Sequence, residues 1–187
     1  MGKRLTYANL QNEYKSLGQQ KARKRLFLRS LLQDDYGEAF DCTITSMACM
    51  FGEAHYSEIE NIARRYGYDG TSKGTNPARI RKIMRDVIRT LGIPGTPRSA
   101  YGKAIGWNYK TIQHLITNGT PVILNLWDDG RFYYHDHSVL IVGFEEYTHG
   151  RFLLVFDNWS LGVSLIDYNK LCVISSINWL EPGRMKG

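Results

Sequence analysis

Phe40-Asp-Cys-Thr-Ile-Thr-Ser-Met-Ala-Cys-Met-Phe51 reads as the first turn and body of an amphipathic helix. Ile44, Met47, Ala48 and Phe51 stand at i, i+3, i+4 and i+7, which is one apolar helix face. Asp41 just upstream is a good N-cap residue, so Cys42 falls in the first turn. Unpaired N–H groups and the helix dipole favour an anion there, and the thiolate is the nucleophilic form of cysteine. A structural thiol gains nothing from such a position; a catalytic one does. Cys49 lies two turns further on, roughly 10 Å along the helix, too far to form a disulfide with Cys42.

Upstream of this helix the chain is basic. The 187 residues carry a net charge of +6. Residues 1–32 hold eight Lys and Arg (Lys3, Arg4, Lys15, Lys21, Arg23, Lys24, Arg25 and Arg29) against Glu13 alone, for +7. The remaining 16 basic and 17 acidic residues leave −1 for residues 33–187. Such a segment fits contact with nucleic acid or an anionic surface, or a solvated helical face. Tyr7, Leu10, Tyr14 and Leu17 recur at helical spacing, and Leu26, Phe27, Leu31 and Leu32 form a second apolar patch, which favours the solvated face. Helices are expected over 7–17, stopped at Gly18, and over 20–32.

Downstream, Ser57 and Glu60 form a capping-box pattern ahead of a helix with Ile59, Ile62, Ala63 and Tyr66 inward. Asn76-Pro77 caps another, with Ile80, Met84, Val87, Ile88 and Leu91 on one face and Gly92 at its end. Arg81, Arg85 and Arg89 on that helix read as a solvent-facing stripe rather than a phosphate-binding ridge. Residues 93–106 form a loop or irregular edge strand, and a short helix spans 108–118. The period then changes. Strands are expected over 121–127, 138–144, 151–157, 162–166 and 171–174, with a turn at Asp128-Asp-Gly130. Helices first and a mostly antiparallel sheet afterwards make an α+β domain.

Composition narrows the classes. At 43% hydrophobic and 22% charged, the chain fits one globular domain with a sizeable core. No apolar run approaches the ~20 residues of a membrane span. The N-terminus lacks the apolar core and cleavage site of a secretory signal. Three cysteines, an odd number, argue for a reducing compartment. A cytoplasmic location is expected, with export that needs no cleaved signal, or delivery as an effector, left open.

Cysteine catalysis needs a base near the sulfur, a group that orients the base, and donors for the oxyanion. His137 opens the strand 138–144, and Asp157 closes the next one. In antiparallel neighbours the start of one strand lies beside the end of the other, so the Asp157 carboxylate is expected within reach of the His137 ring. His135 competes with His137 as the base but has the weaker position. Asp157 could instead begin a turn with Asn158, and Trp159 could either shield the pair or fill the core. His55, His114 and His149 have no partners readable from sequence. Cys49 and Cys172 read as core thiols. No metal or cofactor is expected, since His135-Asp-His137 is too small a ligand set and no Cys-x-x-Cys pair exists.

These residues resemble the papain-like cysteine peptidases, and more closely the compact bacterial branch related to bacteriocin leader-processing peptidases. Asp41-Cys42 with its small-residue helix is similar to the family's nucleophile helix. Asn118-Gly-Thr-Pro-Val-Ile123 followed by His137-Ser-Val-Leu-Ile-Val-Gly-Phe144 resembles the base strand and the one before it. Phe156-Asp-Asn-Trp159 resembles the segment with the orienting Asp or Asn. The family also places a glutamine upstream of the cysteine in the oxyanion hole, a role the resemblance gives to Gln33 beside the Cys42 N–H. Thr43 stands where the family often has glycine, and Gln33 lies nine residues before Cys42.

The resemblance implies a nucleophile helix in an N-terminal helical part, packed on a C-terminal antiparallel sheet. Residues 1–32 are expected as a basic helical extension and residues 33–187 as the peptidase domain. The implied activity is hydrolysis of protein or peptide amides through a Cys42–His137–Asp157 triad and a thioester. Acyl transfer or cutting of peptidoglycan peptides on the same triad is the alternative within enzymology. A non-catalytic module binding nucleic acid through residues 1–32 ranks last.

Overall fold

The computed structural model describes residues 4–36, 40–71, 74–127, 133–134, 136–171 and 174–183. In chain order its elements are α1 (Tyr7–Glu13), β1 (Gln20–Arg25), α2 (Cys42–Phe51), α3 (Tyr56–Arg64), α4 (Ile80–Leu91), β2 (Thr96–Tyr101), α5 (Tyr109–Thr117), β3 (Val122–Leu126), β4 (His137–Tyr147), β5 (Gly150–Phe156), β6 (Ser164–Asp167) and β7 (Ser175–Glu181). Among the described residues the seven strands form one sheet, six of them in the order β2-β7-β3-β4-β5-β6 with β1 added beside β4, every pairing antiparallel. β1 pairs with the second half of β4, and β3 with the first half.

Both faces of the sheet are covered, which is why the central strands read as continuous apolar runs. Side chains alternate along a strand. Ile123, Leu140, Val142, Phe152, Leu154 and Phe156 join the core beneath α2, α3 and α4. Their alternates Val122, Leu124, Val139, Ile141, Leu153 and Val155 join Ile112 and Ile116 of α5 in a second core. Between sheet and α3, α2 is buried from Cys42 to Cys49, packed on β4. Mixed helix and antiparallel sheet is therefore the architecture.

Four expectations change. The first helix stops at Glu13, short of Gly18. The second, expected over 20–32, is instead strand β1. Gln-Lys-Ala-Arg-Lys-Arg is a good helix composition, yet main-chain pairing with β4 outweighs propensity, and the exposed Lys and Arg suit an edge strand. β1 runs so close to β4 that a Cβ on Gly143 would lie 2.5 Å from the Lys24 carbonyl oxygen, so only glycine fits there. Ser57 lies inside α3, which starts at Tyr56 with no side-chain cap, so the expected capping box does not form. The last strand falls at Ser175–Glu181, beyond the expected 171–174; residues 172 and 173 and the turn at 128–130 lie outside the described residues. Asn76 does cap its helical segment, its Oδ1 accepting from the Ala78 N–H at 2.9 Å, and α4 ends at left-handed Gly92.

The basic N-terminal segment is bound into this sheet. Leu5 bridges to Leu165, whose N–H donates to the Leu5 carbonyl at 2.9 Å. On α1, the Tyr7 hydroxyl donates to buried Glu145 at 2.6 Å, Leu10 enters the core, and Tyr14 bonds Asp167. Arg23 of β1 pairs with Glu145 at 3.0 Å.

Candidate active site

Cys42 is the first residue of α2 and lies in the wall of a cleft of about 780 Å³, which His137, Ser138, Asn125, Trp127 and Arg79 also line. Asp41 occupies the N-cap position without capping through its side chain. Its Oδ2 instead accepts from Thr45 Oγ1 at 2.8 Å and from the Tyr56 hydroxyl at 2.6 Å, tying the helix start to α3.

The His137 ring and the backbone N–H and hydroxyl of Ser138 stand close enough to the Cys42 sulfur to act on its ionisation. Burial alone would push the thiol up. The His137 bond and charge, with the two Ser138 donors, outweigh it and bring the thiol below its ordinary value. For His137 burial acts downward, and the Cys42 bond and charge, then the Asp157 carbonyl and charge, lift the ring above its ordinary 6.5. Each shift favours thiolate beside imidazolium. Cys49, by contrast, is pushed up to about 11, chiefly by burial.

His137 Nε2 lies 2.7 Å from the backbone carbonyl of Asp157. A carbonyl only accepts, so Nε2 carries the proton and Nδ1 is the nitrogen left for the sulfur. The Trp159 ring stacks on the imidazole at 4.2 Å between centroids, and Tyr134 lies 5.7 Å away, nearly parallel. Trp159 is 46% exposed, so it covers the histidine from the solvent side and is no core residue.

The expected contact between the Asp157 carboxylate and the His137 ring is not there. That carboxylate is fully buried and turns away. It accepts from Arg4 Nε at 2.7 Å, Ser164 Oγ at 2.6 Å, the Tyr134 hydroxyl at 3.0 Å, and the N–H groups of Trp159 and Ser160 at 3.2 Å. The last two close an Asx turn, the turn weighed in sequence, and it is what aims the Asp157 carbonyl at the ring. Asn158 within the turn is left-handed (φ 62°), a conformation asparagine tolerates.

Gln33 reaches the site through its main chain. Its N–H donates to the Asn158 carbonyl at 2.8 Å, while Asn158 Nδ2 donates to the Cys42 carbonyl at 3.1 Å. Gln33 Oε1 is buried without a hydrogen-bond partner among the described residues, and the side chain does not line the cleft.

Not foreseen from sequence is a polar file that runs across the sheet to Ser138, beside His137 in the cleft wall. Ser99 Oγ donates to Asn178 Oδ1 at 2.5 Å, Asn178 Nδ2 to Asn125 Oδ1 at 2.9 Å, and Asn125 Nδ2 to Ser138 Oγ at 2.6 Å. Ser138 Oγ also meets Thr43 Oγ1 at 2.8 Å. The single signal was two asparagines and two serines standing within strands. His135 and Cys172 lie outside the described residues. His114 bonds Asn118 at 3.2 Å, a local pair on its own helix. Arg81, Arg85 and Arg89 are exposed, the last two beside Asp86. Among the described residues no group of three or more His, Cys, Asp or Glu is placed to hold a metal ion, and no helix is long and apolar enough to cross a membrane.

No protein-family model matches the chain, and no curated protein does. Among solved structures it is similar to a mite allergen, from work on antibody cross-reactivity between Blo t 1 and Der p 1. The likeness covers 71% of this chain and 49% of that one, at 13% identity and a TM-score of 0.35. The chain thus spans about half the length of that structure, and a likeness this distant carries no argument about activity.

Proposed function

We propose that the chain is a papain-like cysteine peptidase, with Cys42 as nucleophile and His137 as general base and acid. One observation carries this: the Cys42 thiol at a helix start, on the wall of a cleft it shares with an imidazole whose far nitrogen is committed to a carbonyl. Residues 33–187 form the catalytic domain, and residues 1–32 are an extension docked on it through α1 and β1.

The thiolate attacks the amide carbonyl carbon, and the C=O electron pair moves to oxygen. The Cys42 N–H is one donor to that oxyanion. For the Gln33 carboxamide to be the second donor it has to turn into the cleft, which it does not line; its segment is tied to the nucleophile helix through Asn158. His137 gives its Nδ1 proton to the leaving amine as the C–N bond breaks, leaving a thioester on Cys42. His137 then takes a proton from water, which attacks the thioester and releases a carboxylate and the free thiol. The Asp157 carbonyl keeps the ring in register throughout, and Trp159 limits water at its outer face.

Incubation with denatured proteins and a peptide library, read by mass spectrometry of new termini, tests the proposal. New N-termini are expected with the native protein, and loss of more than about 10³-fold in rate with Cys42→Ala. Cleavage that persists in Cys42→Ala overturns it. Products confined to peptidoglycan fragments, or amide exchange onto added amines without hydrolysis, would move the chain to the other uses of this thiol.

A further inference from the structure

We propose that Arg4 is a positioning residue for His137, acting through the Asp157 carboxylate; this rests on the assignment of Cys42 and His137 above. Arg4 is far from Cys42 in sequence and belongs to the segment outside the catalytic domain. Its guanidinium is nevertheless part of the structure that holds the histidine. Nε lies 2.7 Å from Asp157 Oδ2 and 3.0 Å from Ser164 Oγ. Nη2 lies 2.6 Å from Ser164 Oγ and bonds Ser160 Oγ as well. Arg4 is the only cation bonded to that carboxylate among the described residues.

The path from Arg4 to the ring is short and complete. Asp157 Oδ1 takes the N–H groups of Trp159 and Ser160 and so folds the turn at the end of β5. That turn supplies both groups that hold the far side of the imidazole, the Asp157 carbonyl and the Trp159 ring. The carboxylate itself has no exposed surface. A fully buried carboxylate without its cation takes up a proton or moves toward water. Either change loosens the turn, and with it the hydrogen bond that gives His137 its tautomer.

Arg4 is itself held in place. Asn9 Nδ2 donates to the Arg4 carbonyl at 2.9 Å, Leu5 is bonded to Leu165, and α1 is fixed by Tyr7 on Glu145. Among the described residues, the titratable groups acting on or stacked against His137 include Cys42, Asp157 and Tyr134, and Arg4 adjoins the last two through Oδ2 of Asp157.

The test uses Arg4→Met and Arg4→Lys in the full chain, with two readouts. The first is the pH profile of Cys42 alkylation by iodoacetamide, the modified cysteine identified by mass spectrometry. The second is the titration of the His137 ring protons by NMR, which does not depend on Cys42 being a nucleophile. Arg4→Met is expected to lower alkylation at pH 6.5 by roughly tenfold, to move its midpoint up by about one unit and the His137 titration down by a similar amount. Arg4→Lys keeps the charge but loses the fork, and is expected to fall within about threefold of the native rate. Should Arg4→Met fail to fold, Arg4→Gln takes its place: a profile displaced in the same direction supports the proposal, and one superimposable on the native profile overturns it. Native profiles in a folded Arg4→Met overturn it outright. If native Cys42 behaves as an ordinary thiol while the His137 titration still moves in Arg4→Met, the nucleophile assignment fails and the positioning role stands.

Discussion

His137→Ala is expected to lower kcat/KM for a peptide substrate by about 10⁴-fold, with the fold retained. In the proposed mechanism the ring has two tasks that alanine cannot share: it exchanges the proton, and it is the countercharge that favours the Cys42 thiolate. Without it, burial becomes the main influence on the thiol and pushes it up. A thiol at or above about 8.5 is at most about 1% ionised at pH 6.5, so Cys42 alkylation at that pH should fall by about 10² or more. Activity against pH in the native protein should be bell-shaped. The acid limb is Cys42 deprotonation, displaced below the ordinary cysteine value, and the alkaline limb is loss of the imidazolium proton, displaced above 6.5. Stability follows the same signs. The lowered Cys42 contributes above its unfolded pKa and loses that contribution as pH falls through its folded value. The raised His137 contributes fully below about 6.5 and loses it as pH rises through its folded value. An acid limb at the ordinary cysteine value would contradict the ion pair.

Asp157→Ala is expected to cost about 3 kcal/mol of stability, or roughly 6–12 °C in Tm. It strips the partner from Arg4, leaves the Tyr134 and Ser164 hydroxyls short of an acceptor, and opens the turn that two N–H groups close. Catalysis should fall with it, because the carbonyl bonded to His137 loses its fixed direction. Asp157→Asn separates the two effects. Where a carboxylate holds the base, the amide reverses the tautomer at a cost near 10⁴-fold. Here the acceptor is the main-chain carbonyl, which asparagine keeps, so the loss in kcat/KM should stay near tenfold while the Arg4 pair is weakened. Denaturation midpoints with kcat/KM for both variants check this, and a 10⁴-fold loss in folded Asp157→Asn would give the orienting role to the carboxylate.

What was legible in the sequence was local. Cys42 stands out because helix periodicity and a cap residue fix its place within a few positions. His137 and Asp157 stand at a strand start and a strand end, and a short connection between β4 and β5 makes those ends neighbours. Which oxygen of Asp157 meets the ring was not legible, because that depends on the backbone at Asp136 and Asn158, both with positive φ. Nor was β1, a strand of exposed Lys and Arg that exists through main-chain bonds to β4. The file from Ser99 to Ser138 joins four strands, and only their mutual register brings those polar side chains into line. Arg4 was hidden for the same reason, since its partner lies 153 residues away.

The central claim is that Cys42 is a thiolate nucleophile poised by His137, and selective alkylation tests it most directly. Native protein treated with substoichiometric iodoacetamide at pH 6.5 and mapped by mass spectrometry should carry the label on Cys42. Cys49, pushed up to about 11, should lag by at least about 10³-fold. Labelling of Cys49 ahead of Cys42, or labelling of Cys42 that is unchanged in His137→Ala, would contradict the account.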